Sequence, residues 1–312
     1  METQILDTEE CDQYTRKLVE YTTESSERVQ AFVLVPHGVT KAPGVLAIHQ
    51  DGGRRPYEFG KSEPAGVGGD PELAYGLELC LRGYVVICPD RFPFESRSLA
   101  NSEFRETFAQ FPLFTRLDGK DFDLTEDLYA GCIANRLLFA GRTELGVTLF
   151  ELMRAVDCLR EQPEVDPSRI GVIGHSAGGY YGALLMYVDP RVKAGCASCG
   201  TFLIRWFFGE DRLRPINGIG AGAVVPGLKH WGDVDDILAG IAPRPFLETR
   251  GDLPGLPTSA RSDLTTKAKA RYVELGVPER FRYETYRGTH EFRKDKREKS
   301  YAWLDKWLRR AR

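Results

Sequence analysis

Ser176 stands in GHSAG, residues 174–178, between two glycines, behind the apolar run RIGVIG and ahead of AGGYYGALLMYV. G-x-S-x-G is too short to mean much alone, but a strand before it and a helix after it are the setting its chemistry needs. On a sharp strand-to-helix turn a serine takes up strained backbone angles that lift its hydroxyl clear of the sheet, and flanking glycines remove side chains that would collide. The plainer alternative is a serine capping a helix behind a glycine turn. A serine hydroxyl is a poor nucleophile at neutral pH, so it needs a base, and the base needs an orienting acid. Five histidines are available. His37 and His49 precede the serine, His175 adjoins it and should be turned elsewhere by the backbone, and His230 lies before the next strand candidate. His290, in YRGTHEF, follows the last strand candidate and is the best base. The acid should follow the strand PFLET, where RGD places Asp252. Glu248 would lie inside that strand, Asp263 is the reserve, and a turn role beside Gly251 is the bland reading of Asp252.

A tetrahedral intermediate also needs N–H donors aimed at its oxyanion. The N–H of Ala177, the residue after the serine, is one. The loop HQDGG (49–53) follows the strand GVLAI, and Gln50 or Asp51 is expected to give the second. Aromatic side chains in loops on the same side of the sheet, Phe202, Trp206, Phe207, Phe208 and Trp231 with Phe92 and Phe94, could line an acyl or alcohol pocket. Packing under a long loop is the competing explanation for each. Arg205, Arg212 and Arg214 could attract an anionic ester. Glu95 and Arg97 are read as a structural ion pair. Asp233, Asp235 and Asp236 have no histidine or further carboxylate to complete a ligand set, so no metal is expected.

The elements that must hold these groups follow from hydrophobic patterning. GVLAI (44–48), YVVIC (84–88), RIGVIG (169–174) and PFLET (245–249) are apolar throughout, as suits parallel strands covered on both faces. Between them Leu149, Leu152, Met153, Val156 and Leu159 recur at helical spacing and make one apolar stripe. Strand alternating with helix implies an α/β fold with a mostly parallel central sheet flanked by helices. AFVLVP (31–36) reads as an early antiparallel edge strand and FRYETY (281–286) as a late one. The stretches at about 93–145 and 201–231 break the rhythm and read as loop or lid insertions in one domain spanning 1–312.

Composition sets further bounds. The chain has 312 residues, 42% hydrophobic and 28% charged, enough for a large core, and a formal net charge of −3 gives no case for nucleic acid. Its first residues lack the apolar core of a signal peptide and no run reaches the length of a membrane span, so a cytoplasmic location away from membranes is expected. Seven cysteines is an odd count, and Cys196 and Cys199 read as core residues rather than half of a redox or zinc site. A homo-oligomer stays open.

HQDGG, GYVVICPD with FPFESR, LLFAGRTELG, DPSRIGVIGHSAGG, DVDDILAGIAPRPFLETRGD and GTH together make the chain resemble the α/β-hydrolase superfamily, and within it the dienelactone-hydrolase-type and acetyl-xylan-esterase-type members, from about residue 44 to 312. The resemblance implies a serine hydrolase without metal or organic cofactor, acting on a small-molecule carboxylic ester through an acyl-enzyme. It supports Ser176 as nucleophile, Asp252 as acid and His290 as base. The acid loop RGDLPGLPTSA departs from the usual arrangement, and dienelactone hydrolases use a cysteine nucleophile, so their substrate does not carry over. Acyl transfer, or cleavage of an amide, thioester or lactone, would use the same groups. A silent hydrolase-like scaffold that only binds would more often lack one of them.

Overall fold

Strand residues that alternate between two buried faces build the centre of the molecule. In the computed structural model, which describes residues 2–24, 27–51, 57–117, 119–208, 225–251 and 259–309, Leu46 and Ile48 face one layer of helices while Val45 and Ala47 face the other. Both sets are fully buried, which is why GVLAI carries no polar residue. The strands are β1 (Thr3–Glu10), β2 (Tyr14–Thr22), β3 (Arg28–Pro36), β4 (Ala42–Ile48), β5 (Val85–Pro89), the short pair β6 (Phe114–Leu117) and β7 (Lys120–Asp123), β8 (Val165–His175), β9 (Val192–Ser198), β10 (Phe246–Gly251) and β11 (Phe281–Tyr286). The main sheet has the order β1-β2-β3-β5-β4-β8-β9-β10-β11. The first three pair antiparallel, and β3 meets β5 antiparallel. From β5 to β11 every pairing is parallel.

The helices are α1 (Tyr75–Leu81), α2 (Arg105–Ala109), α3 (Thr125–Phe139), α4 (Glu144–Arg160), α5 (Ala177–Val188), α6 (Arg205–Phe208), α7 (Val234–Gly240), α8 (Ala260–Glu274) and α9 (Lys294–Leu308). The apolar stripe of α4 meets the sheet as its spacing requires: Leu152, Val156 and Leu159 are buried in the same core as Leu46 and Val172. Thr143 caps its start by accepting the Gly146 N–H at 3.1 Å. On the opposite face α1 and α9 bring Leu79, Trp303, Leu304 and Leu308 onto Val45, Val86 and Ile173.

Two expectations about the sheet need correcting. AFVLVP is not at an edge, because β1 and β2 lie outside β3. FRYETY is an edge strand, but it runs parallel to β10, with Phe246 opposite Phe281 and Gly251 opposite Tyr286. Its alternation of buried and exposed residues reflects cover on one face, not antiparallel pairing. The stretch near 93–145 holds α2, the hairpin β6–β7 and α3; the stretch after 201 begins with α6.

Parallel pairing puts all the carboxyl ends on one edge. Ile48 lies opposite Gly174, His175 opposite Ser198, and Ser198 opposite Thr249. The residues that follow these strands therefore meet in one place, the crevice where open α/β sheets take their ligands.

Candidate active site

Ser176 sits between β8 and α5 with φ 54° and ψ −124°, a left-handed conformation that costs a non-glycine residue about 1–3 kcal/mol. Its surroundings enforce it. A Cβ on Gly178 would come within 2.8 Å of the His49 oxygen and nearer still to that of Ile48, and one on Gly174 would strike the Gly178 backbone. The end of β4, the serine turn and the start of α5 are thus in backbone contact, which only glycine permits. The Ser176 N–H donates to Ser198 O at 2.7 Å, tying the turn to β9.

Ser176 Oγ lies 2.7 Å from Nε2 of His290. These side chains come from points 114 residues apart. Partial burial, then the Arg250 guanidinium, hold the His290 imidazole below its ordinary value, which keeps it neutral and able to accept a proton near pH 7. The loop carrying His290 is pressed onto the end of β10, where a Cβ at Gly251 would lie 2.9 Å from the Gly288 oxygen. Asp252, the next residue, lies outside the described residues. The two other carboxylates weighed for the acid are engaged elsewhere. Glu248 is fully buried, accepts the Thr201 N–H at 3.1 Å and the Thr201 hydroxyl, and is pushed up to about 7 by burial. Asp263 accepts from Ser259 Oγ at 2.8 Å.

His175 is turned away from the serine's hydroxyl, as expected, yet it does not leave the site. Its Nδ1 is 3.0 Å from Ser198 Oγ, its ring lies 4.9 Å from that of His290, and it stacks on Phe292 at 5.8 Å. Burial and the neighbouring His290 push it down to about 3, so it stays neutral and packs under the base loop.

The Ala177 N–H is the first of α5 and, like every first-turn N–H, has no partner within its helix. Gln50 and Asp51 lie just past β4, after His49. Gln50 Nε2 donates to Glu63 at 3.3 Å, and Asp51 Oδ1 accepts from Arg91 Nη2 at 2.6 Å. Arg91 and His49 hold this loop; from sequence His49 is weighed only as a base, and Arg91 is not singled out. The available signal was position alone: His49 directly follows β4, and Arg91 lies two residues beyond the end of β5.

The aromatic residues divide by burial. Phe202 stacks on Tyr180 at 5.2 Å and meets Phe207 edge-on at 5.4 Å; Phe207 is buried and Trp206 half-buried against the same core. Phe94 is buried against His49 and Tyr57. Trp231 is 89% exposed. Arg205 is taken by Asp233 and Asp235, each at 3.2 Å, while Arg212 and Arg214 lie outside the described residues. DVDD opens α7, with Asp233 and Asp236 forming a capping box. Glu95 and Arg97 do not pair with each other, contrary to expectation. Glu95 meets Lys61 at 2.7 Å, whereas Arg97 grips Glu151 with two bonds of 2.6 and 2.8 Å. Cys196 and Cys199 are buried free thiols.

A mostly parallel sheet flanked by helices, with a strained serine at the end of its central strand, is the architecture of an α/β-hydrolase, and that is the fold of this chain. Comparison with known proteins finds the following similarities. Residues 135–217 match the prolyl oligopeptidase family. YtaP of Bacillus subtilis, named as a candidate hydrolase, is 25% identical over 288 residues, covering 90% of this chain and 84% of its own. Among solved structures, a candidate acetyl xylan esterase from Bacteroides fragilis aligns with TM-score 0.68 and 20% identity over 92% of this chain and 70% of that one. A glucuronoyl esterase from Solibacter usitatus aligns with TM-score 0.61 and 15% identity over 97% and 85%.

Proposed function

We propose that the protein is a serine hydrolase that cleaves a carboxylic ester of a small molecule through an acyl-enzyme. The observation that carries this reading is the 2.7 Å contact between His290 Nε2 and the hydroxyl of a serine held at positive φ. In this reading His290 takes the Ser176 proton as Oγ attacks the ester carbonyl, and the negative charge on the carbonyl oxygen is met by the Ala177 N–H and a donor of the Gln50–Asp51 loop. His290 then gives its proton to the leaving alcohol. Water, deprotonated by the same imidazole, attacks the acyl-serine, releasing the acid and restoring Oγ–H. Asp252 is assigned the task of orienting His290 on its position after β10. The resemblance to YtaP along most of its length and the esterases that share the fold favour the same reaction class.

The decisive experiment localises a fluorophosphonate adduct by mass spectrometry and compares Ser176→Ala on a panel of aryl esters. The adduct should fall on Ser176, and the variant should stay folded while losing roughly a million-fold in turnover. An adduct elsewhere, or near-native turnover in the variant, would overturn the reading.

A further inference from the structure

Two buried side chains that take no part in proton transfer hold the end of β4. His49 is fully buried, its ring edge-on to Phe94 at 4.9 Å. Its Nε2 accepts the backbone N–H of Arg91 at 3.0 Å. A ring nitrogen that accepts carries no proton, so in the neutral imidazole the proton is on Nδ1. Nδ1 lies 2.6 Å from the Gln50 carbonyl oxygen and donates to it. Protonating Nε2 as well would set it against the Arg91 N–H, donor to donor. Burial, then the Arg91 guanidinium, push the imidazole well below its usual value, so it stays neutral.

Arg91 completes the hold. It is itself 3% exposed, and its Nη2 donates to His49 O at 3.1 Å and to Asp51 Oδ1 at 2.6 Å, while its guanidinium lies 4.6 Å over the Tyr181 ring. The carbonyl of Gln50 and the N–H of Asp51 belong to one planar trans peptide and point to opposite sides of it. A bond that fixes the oxygen therefore fixes the direction of the N–H. Among the described residues no protein acceptor takes that N–H.

We infer that His49 is a positioning residue: its Nδ1–H holds the Gln50–Asp51 peptide in the one orientation that presents the Asp51 N–H to the oxyanion. The inference rests on the hydrolase reading above, and it selects Asp51 over Gln50 as the second donor. Without the hold, rotation of this peptide would turn a carbonyl oxygen toward the developing charge, replacing attraction by repulsion where it matters most.

A pair of substitutions separates the two bonds of the ring. In His49→Asn the side-chain amide reaches the place of Nδ1 and can still donate to Gln50 O. In His49→Gln it reaches the place of Nε2 and can accept only from Arg91. Turnover and KM are measured on a neutral aryl ester, with the inhibition constant of a boronate that mimics the tetrahedral species. His49→Gln should lose about 100-fold in kcat with KM nearly unchanged, and bind the boronate weaker by a similar factor. His49→Asn should stay within roughly tenfold of native. Equal losses, or a greater loss in His49→Asn, would overturn the inference, as would a boronate affinity that only follows KM. Should neither variant fold, amide NMR of the unaltered protein decides. Boronate should shift the Asp51 and Ala177 N–H signals, and a shift of Gln50 in place of Asp51 refutes the assignment. Fluorophosphonate labelling of native Ser176 keeps the questions apart: without it the hydrolase reading fails, whatever the variants do.

Discussion

Replacing Gly178 by alanine puts the backbone contact beneath the site to a quantitative test. The added Cβ would stand 2.8 Å from the His49 oxygen and nearer still to that of Ile48. Carbon and oxygen make their closest ordinary contact at about 3.3 Å, so the start of α5 and the end of β4 must part by roughly 1 Å. Neither can yield alone. Ile48 is paired with Gly174 on β8, and its carbonyl accepts from Tyr75 Oη at 2.5 Å. Overpacking a well-filled site costs about 1–3 kcal/mol, which for a chain of this size lowers Tm by about 2 °C per kcal/mol. A displacement of about 1 Å between reacting groups costs roughly 100-fold in rate. Gly178→Ala should therefore remain folded by circular dichroism, melt a few degrees lower, and lose about 100-fold in kcat/KM on an aryl ester, mostly in kcat. A variant with native melting and kcat/KM within about threefold would refute the reasoning, since the nucleophile turn could not then depend on that contact.

Two further outcomes follow from buried charge. His175 is pushed down to about 3 in the fold, while an unfolded chain protonates near 6.5, so stability present above pH 6.5 is lost as pH falls toward 3. This one group should remove about 2 kcal/mol between pH 7 and pH 5, and urea melts of His175→Asn should show a smaller pH dependence than native; an equal dependence would rule His175 out. Arg250 helps to hold the His290 imidazole below its usual value. Because the base must be unprotonated, Arg250→Gln should move the acid limb of the kcat/KM profile to higher pH, and a limb that stays put or moves down contradicts the assignment.

The approach of His290 to Ser176 is legible in the sequence because each position depends on local pattern and chain order: an apolar run ending in glycine, and a histidine after the last strand. The fold class was legible for the same reason, since GVLAI, YVVIC and RIGVIG are apolar on both faces. Other parts were hidden by weaker physical signals. β1, TQILDTEE, is exposed along nearly its whole length, so nothing in its composition had to be apolar. β9, VKAGCAS, is a central strand made mostly of small residues, because α5 lies close against it, and small residues blur the strand signature. The direction of β11 was misread because cover on one face gives the same alternation whichever way a neighbour runs. Glu95 and Arg97, two positions apart, look like a pair in sequence, but a 3-10 turn aims them at different partners. His49 was passed over as a base because of its place in the chain, a criterion blind to a role played through a backbone carbonyl.

The polar groups at the crevice hang from the ends of adjoining parallel strands, whereas the long excursion between β5 and α4 contributes neither Ser176 nor His290. On the proposed reading, the proton-transfer groups are thus separate from most of that excursion, which reaches the site through Arg91 at its start. On that reading, descendants of this scaffold can lengthen, trim or exchange the part of the excursion beyond Arg91 to admit a different substrate, without rebuilding the groups that move the proton.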